Sequence, residues 1–121
     1  MDRRAKASWT GAGEGSGVVE LSAAELGAGV VLGDRATLVQ FSTAFCQPCR
    51  ATRRVLAQVA ALVPGVAHVD IDAERHLELV RRLEILRTPT TLVLDAHGTV
   101  VHRAAGQPRR AAVLAALADA L

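Results

Sequence analysis

Leu38-Val39-Gln40-Phe41-Ser42-Thr43-Ala44-Phe45-Cys46-Gln47-Pro48-Cys49-Arg50 is the stretch from which the rest of the chain can be read. Ala36 to Phe41 is an almost unbroken apolar run of strand length, as expected of a strand covered on both faces, with Gln40 the odd polar residue. From Pro48 to about Val63 the period becomes helical. Val55, Val59 and Leu62 form one stripe that Leu56, Ala60 and Val63 widen, while Arg50, Arg53, Arg54 and Gln58 lie mostly elsewhere. Where strand gives way to helix stand Cys46 and Cys49, the only two cysteines. Two thiols at this spacing can close a small disulfide ring and reopen it, as a dithiol redox centre requires. The same spacing could also supply half of a zinc site. The βα context around the pair decides between the two.

Working outward, Pro64-Gly65 stops the helix, and Val66 to Ile71 reads as the next strand. Asp72 is a plausible N-cap for a helix from Ala73 to about Leu83, with Leu77, Val80 and Leu83 facing inward. Thr90–Leu94 and Thr99–Arg103 are strands joined by Asp95-Ala96-His97-Gly98, a connection so short that it permits only an antiparallel hairpin. Gly106 ends the second of them. Pro108 then suits the first turn of a last amphipathic helix reaching Leu121. On the N-terminal side, Val18–Leu21 is a short strand candidate, and Ser22-Ala23-Ala24-Glu25 matches a capping box for a helix fading at Gly27 and Gly29. The order is βαβαβαββα, an α/β domain with a mixed central sheet and helices on both faces.

Composition fits this. At 121 residues the chain is one domain with room for a hydrophobic core, and it is half apolar with Trp9, Phe41 and Phe45 as its only aromatics. A net charge of +2 gives no electrostatic footprint for nucleic acid, and the arginine pairs read as solvated helix faces. No apolar run approaches the roughly 18 residues of a membrane span. Residues 1–17 are polar and rich in Gly and Ser, as expected of a flexible tail or linker preceding a domain at 18–121. Their opening Asp2-Arg3-Arg4-Ala5-Lys6 also looks like the stretch just cytoplasmic of a membrane anchor. A cytoplasmic location is therefore expected, tethered to the membrane face only if an anchor precedes this sequence.

With Cys46-Gln47-Pro48-Cys49 opening the second helix and Thr88-Pro89-Thr90 opening the fourth strand, the chain resembles the thioredoxin superfamily from about Val18 to Leu121. Leu38–Phe41, Val69–Asp72 and Gly106 add to the likeness. The resemblance implies a thioredoxin fold and thiol–disulfide oxidoreductase chemistry, most simply the reduction of protein disulfides. Cys46 would be the nucleophile, favoured as thiolate by the helix N-terminus and by Arg50, the nearest cation. Cys49 would be the resolving thiol, with Gln47 and Pro48 completing the turn. Pro89 looks like the family's cis-proline. Substrate would then pair with the backbone of Thr88 in a groove shared with Phe45 and Gly106. The resemblance implies no bound cofactor and a monomer. Electrons would come from a thioredoxin-reductase-like partner, or from a membrane donor.

Three departures from the family's common pattern stand out. Phe45 replaces a Trp, Arg54 replaces a helix-kinking Pro, and Gln40 aligns with a buried Asp beneath the dithiol. An amide cannot exchange a proton near pH 7. His68 aligns where a Lys is frequent and is the candidate to replace the acid. Other readings remain open at this stage. Cys46, Cys49, His97 and His102 could form a zinc set, although 47 residues separate the Cys pair from His97. The fold could serve as a redox-silent binding module. The same chemistry could also run in reverse, as a disulfide donor or isomerase.

Overall fold

The computed structural model describes residues 8–11 and 18–121. Its elements run β1 (Ser8–Gly11), α1 (Ala23–Leu26), β2 (Ala36–Ser42), α2 (Gln47–Leu62), β3 (Val66–Asp72), a 3₁₀ turn (Ala73–Arg75), α3 (Leu77–Arg82), β4 (Thr90–Asp95), β5 (Val100–Ala105) and α4 (Arg110–Ala118). The five strands form one sheet in the order β1-β5-β4-β2-β3. β2 and β3 are parallel, as a helical crossover requires, and every other pairing is antiparallel.

β2 is buried along its whole length because helices cover both sheet faces. On one face Val39, Phe41, Ile71, Leu92 and Leu94 pack with Leu21 and Leu26 and with Leu79 and Leu83. On the other, Leu38 and Val93 pack beneath Leu56 and Val59 of α2 and Val113, Ala116 and Leu117 of α4. Gln40 lies opposite Asp70 on β3 and Thr91 on β4, and the row continues through Ala104 to Trp9. Directly opposed residues share a face, so this polar row runs beneath α2 and α4.

The first strand is not where the sequence suggests. Val18–Leu21 contributes only an isolated Glu20–Thr99 bridge, with Leu21 N–H donating to the Gly98 carbonyl at 2.9 Å. Gly98 has φ +83°, and a Cβ there would fall on the Leu21 carbonyl, so a glycine is required at this crossing. The edge strand comes instead from Ser8–Gly11, within the stretch expected to be tail. Trp9 supplies the reason, because its ring packs against the α4 side of the core. The remainder of that stretch lies outside the described residues.

Other boundaries shift for local reasons. The helix expected over Ala73–Leu83 is divided at His76, whose φ −133° and ψ 50° leave the helical region while its Nδ1 sits 3.0 Å from the Asp72 carbonyl. Leu79 rather than Leu77 faces the core; Leu77 is exposed. On α2 the buried stripe is Cys49, Thr52, Leu56 and Val59, and Val63 rather than Leu62 continues it against the core, leaving Leu62 exposed. The last helix begins at Arg110, two residues after the buried Pro108, and ends at Ala118. Ser22 and Glu25 form the capping box read from the sequence. Among the described residues no helix is long and apolar enough to cross a membrane.

Candidate active site

Cys46 and Cys49 are joined as a disulfide at the N-terminus of α2, with their Cα atoms 5.2 Å apart. Cys46 is the N-cap, and its Sγ accepts the Cys49 backbone N–H at 3.2 Å. A free amide of the first helical turn therefore points at the Cys46 sulfur, the arrangement that stabilises negative charge there. Cys46 is half-buried, whereas Cys49 is fully buried. Pro48 sits within the first turn, where an N–H would have no intrahelical partner. The chain enters through Phe45 at φ +59°, a left-handed conformation that a bulky residue rarely adopts. This turn projects the ring outward, 97 % exposed beside the disulfide.

The Thr88–Pro89 peptide bond is cis, and Pro89 is buried at the start of β4. The Gly106 N–H donates to the Pro89 carbonyl at 2.8 Å, joining the two loops expected from the sequence to flank substrate. Thr43 and Thr88 hydroxyls lie 3.3 Å apart, connecting the end of β2 to the proline loop. Arg103, which the sequence reading passed over, donates to the Leu83 and Glu84 carbonyls at 2.7 and 3.1 Å and fastens the approach to that loop. No sequence pattern marks this arginine. Its partners are backbone carbonyls about twenty residues away.

Beneath the dithiol, Gln40 is fully buried, and its Nε2 donates to the Cys49 carbonyl at 2.8 Å. Its Oε1 faces His68 Nε2 at 3.2 Å. His68 thus meets Gln40 and not a cysteine, so an amide stands between the imidazole and Cys49. Burial holds the His68 pKa below its ordinary value; Asp70 opposes that shift and Arg53 adds to it. Arg50, the expected cation, turns its guanidinium to Gln47 Oε1 at 2.8 and 3.1 Å. Ser42, Arg53 and Asp70 escaped sequence reasoning. Ser42 Oγ donates to Asp70 Oδ1 and Arg53 Nε to Asp70 Oδ2, both at 2.6 Å. Two-residue alternation from His68 puts Asp70 on the same face, which is the one signal that could have found it.

The histidines of the zinc alternative lie elsewhere. His97 is exposed in the hairpin turn, and His102 is half-buried with its Nε2 2.7 Å from the carboxylate of Asp119, just past the end of α4. Among the described residues no three His, Cys, Asp or Glu side chains converge as metal ligands.

The thioredoxin family model matches residues 17–119. The thioredoxin of Mycolicibacterium smegmatis is 34 % identical over 95 residues, covering 75 % of this chain and 84 % of its own length. A bifunctional thioredoxin reductase/thioredoxin of Mycobacterium leprae is 30 % identical over 104 residues, 84 % of this chain but 22 % of that larger protein. Among solved structures, the thioredoxin of Fasciola hepatica superposes with a TM-score of 0.63 at 19 % identity, over 74 % of this chain and 84 % of its own. A closable C-x-x-C pair at a helix N-terminus, on this sheet and with these relatives, has one explanation: the chain belongs to the thioredoxin family of thiol–disulfide oxidoreductases.

Proposed function

We propose that the chain works as a reductase of protein disulfides, with Cys46 attacking and Cys49 resolving. The observation that carries this assignment is the unequal access of two bonded sulfurs: Cys46 meets solvent and Cys49 does not. In the reduced protein the Cys46 thiolate attacks one sulfur of the substrate disulfide. That bond breaks, the first substrate sulfur leaves as a thiolate and takes a proton, and a mixed disulfide joins Cys46 to the second. Cys49 then loses its proton and attacks Cys46 Sγ, releasing the second substrate thiol. Two electrons have passed to the substrate, leaving the Cys46–Cys49 disulfide seen here. A thioredoxin-reductase-like partner would return the chain to the dithiol.

Thr88 would offer its backbone to the substrate chain, with the Phe45 ring and Gly106 flanking it. Gln47, Pro48 and Arg50 would shape and polarise the turn. Gln40 and His68 would hold the helix end from beneath; His68 would not itself take the Cys49 proton, since Gln40 intervenes. Water would be the acceptor. A monomeric, cofactor-free protein on the cytoplasmic side is part of the same proposal.

The test is the midpoint potential of the couple, read by thiol labelling across a dithiothreitol series with zinc content measured in parallel. A two-electron transition near or below about −250 mV supports the reductase, whereas one above about −180 mV makes the chain a disulfide donor or isomerase. No transition, or stoichiometric zinc, refutes the redox assignment. Cys49→Ser should accumulate a mixed disulfide through Cys46, and Cys46→Ser should be inactive.

A further inference from the structure

A polar cleft of about 260 Å³ opens beside the dithiol, lined by Ser42, Thr43, Ala44, Arg53, Asp70 and Asp72. It lies where parallel β2 and β3 end, on the approach to α2. Its wall at Ala44 is two residues from Cys46, a chain distance of at most about 7 Å. Thr43 joins the cleft to the proline loop through its hydroxyl contact with Thr88 at 3.3 Å. An extended substrate advances about 3.3 Å per residue. A chain bonded to Cys46 and running past Thr88 would therefore bring the side chain about two residues from its cysteine to this opening.

The cleft's charges are not equivalent. Both Asp70 oxygens are engaged, one by Ser42 Oγ and the other by Arg53 Nε, each at 2.6 Å. Arg53 thereby neutralises Asp70. Asp72 is less satisfied: Oδ1 accepts the Glu74 N–H at 2.9 Å, and among the described residues Oδ2 has only Arg75 at 3.7 Å. That arginine is 84 % exposed, so its attraction is weak. The Ser42 and Thr43 hydroxyls are engaged by Asp70 and Thr88, so the cleft is left with one negative charge at Asp72. We infer that this cleft is a specificity subsite that accepts a lysine or arginine side chain of the substrate, about two residues from the attacked cysteine, with Asp72 as its counter-charge. The inference rests on the reductase proposal above and names which disulfides that reductase prefers.

The test compares three disulfide-linked peptides differing only in Lys, Ala or Glu two residues from the reacting cysteine, with the substitution placed on either side. For the protein as it stands, kcat/KM for Lys should exceed that for Ala by about two- to fivefold, the worth of a part-exposed ion pair. Glu should fall below Ala, and the spread should shrink with added salt. Asp72→Asn keeps a capping side chain for the 3₁₀ turn and should level the three peptides. Arg53→Gln frees Asp70 and should widen the Lys preference. Equal rates on all three peptides, or a Lys preference that survives Asp72→Asn, would overturn the subsite while leaving the reductase intact. No turnover even of the Ala peptide would instead remove the reductase proposal on which the subsite rests.

Discussion

Replacing Gln40 with Met keeps an unbranched side chain of similar length in a fully buried position but removes both of its hydrogen bonds. One joins the helix end to the sheet at Cys49; the other holds His68. A hydrogen bond contributes about 0.5–1.5 kcal/mol net, and more when a buried partner is left unsatisfied. The Cys49 carbonyl is buried but lies within α2 and keeps its helical partner, so the loss of this bond should fall near the middle of that range, about 1 kcal/mol. His68 is only half-buried and can turn to water, which places its loss in the lower part. The added burial of an apolar side chain offsets a fraction. The expected net loss is about 1 kcal/mol. For a chain of 121 residues one kcal/mol corresponds to about 4 °C, so the melting midpoint should fall by about 4 °C. Urea unfolding of the oxidised protein, followed by circular dichroism with the slope m held common, reads this directly. A change within about 0.3 kcal/mol, or a gain in stability, would mean that the Gln40 amide is not a fastening of α2 to the sheet.

Further outcomes follow from the same geometry. Leu56→Ala empties a fully buried site between α2 and the sheet and should cost about 2–5 kcal/mol in urea unfolding, with the cysteine pair still able to close; a cost below about 1 kcal/mol would contradict the packing. His68 is held below its ordinary pKa of 6.5 by burial, so the unfolded chain binds the proton more readily. Its neutral form carries no penalty above pH 6.5, and stability should decline as pH falls from 6.5 through the lower folded value. His68→Gln should flatten that decline; parallel curves for the two proteins would refute it. Glu25 is held below its ordinary value chiefly by the Ser22 N–H and then by Arg82, so the capping box should weaken only as pH falls below 4.5. Glu25→Gln removes the titrating carboxylate and should abolish that acid dependence, and an unchanged profile would count against the cap.

Much of the site was legible because its chemistry is local in sequence. A C-x-x-C pair after an apolar strand and before an apolar helical stripe locates the dithiol at a helix N-terminus, since strand and helix periods cannot be exchanged. The hairpin of β4 and β5 followed from a four-residue connection, and the place of Pro89 from the strand it opens. The sequence alone therefore determined the element order from β2 onward and the place of the cysteine pair between strand and helix. Tertiary structure decided what depends on partners distant along the chain. Trp9 became part of an edge strand because α4 offered its ring a surface, although Gly- and Ser-rich neighbours suggested a tail. His68 met Gln40 rather than Cys49 because their strands are registered with Leu38 opposite His68 and Gln40 opposite Asp70, leaving the buried amide nearer the helix end. Arg53 and Asp70, seventeen residues apart, became a cleft wall only when α2 folded back over the parallel strands. Periodicity records which face a residue occupies; which distant groups meet on that face is set by strand register and helix packing.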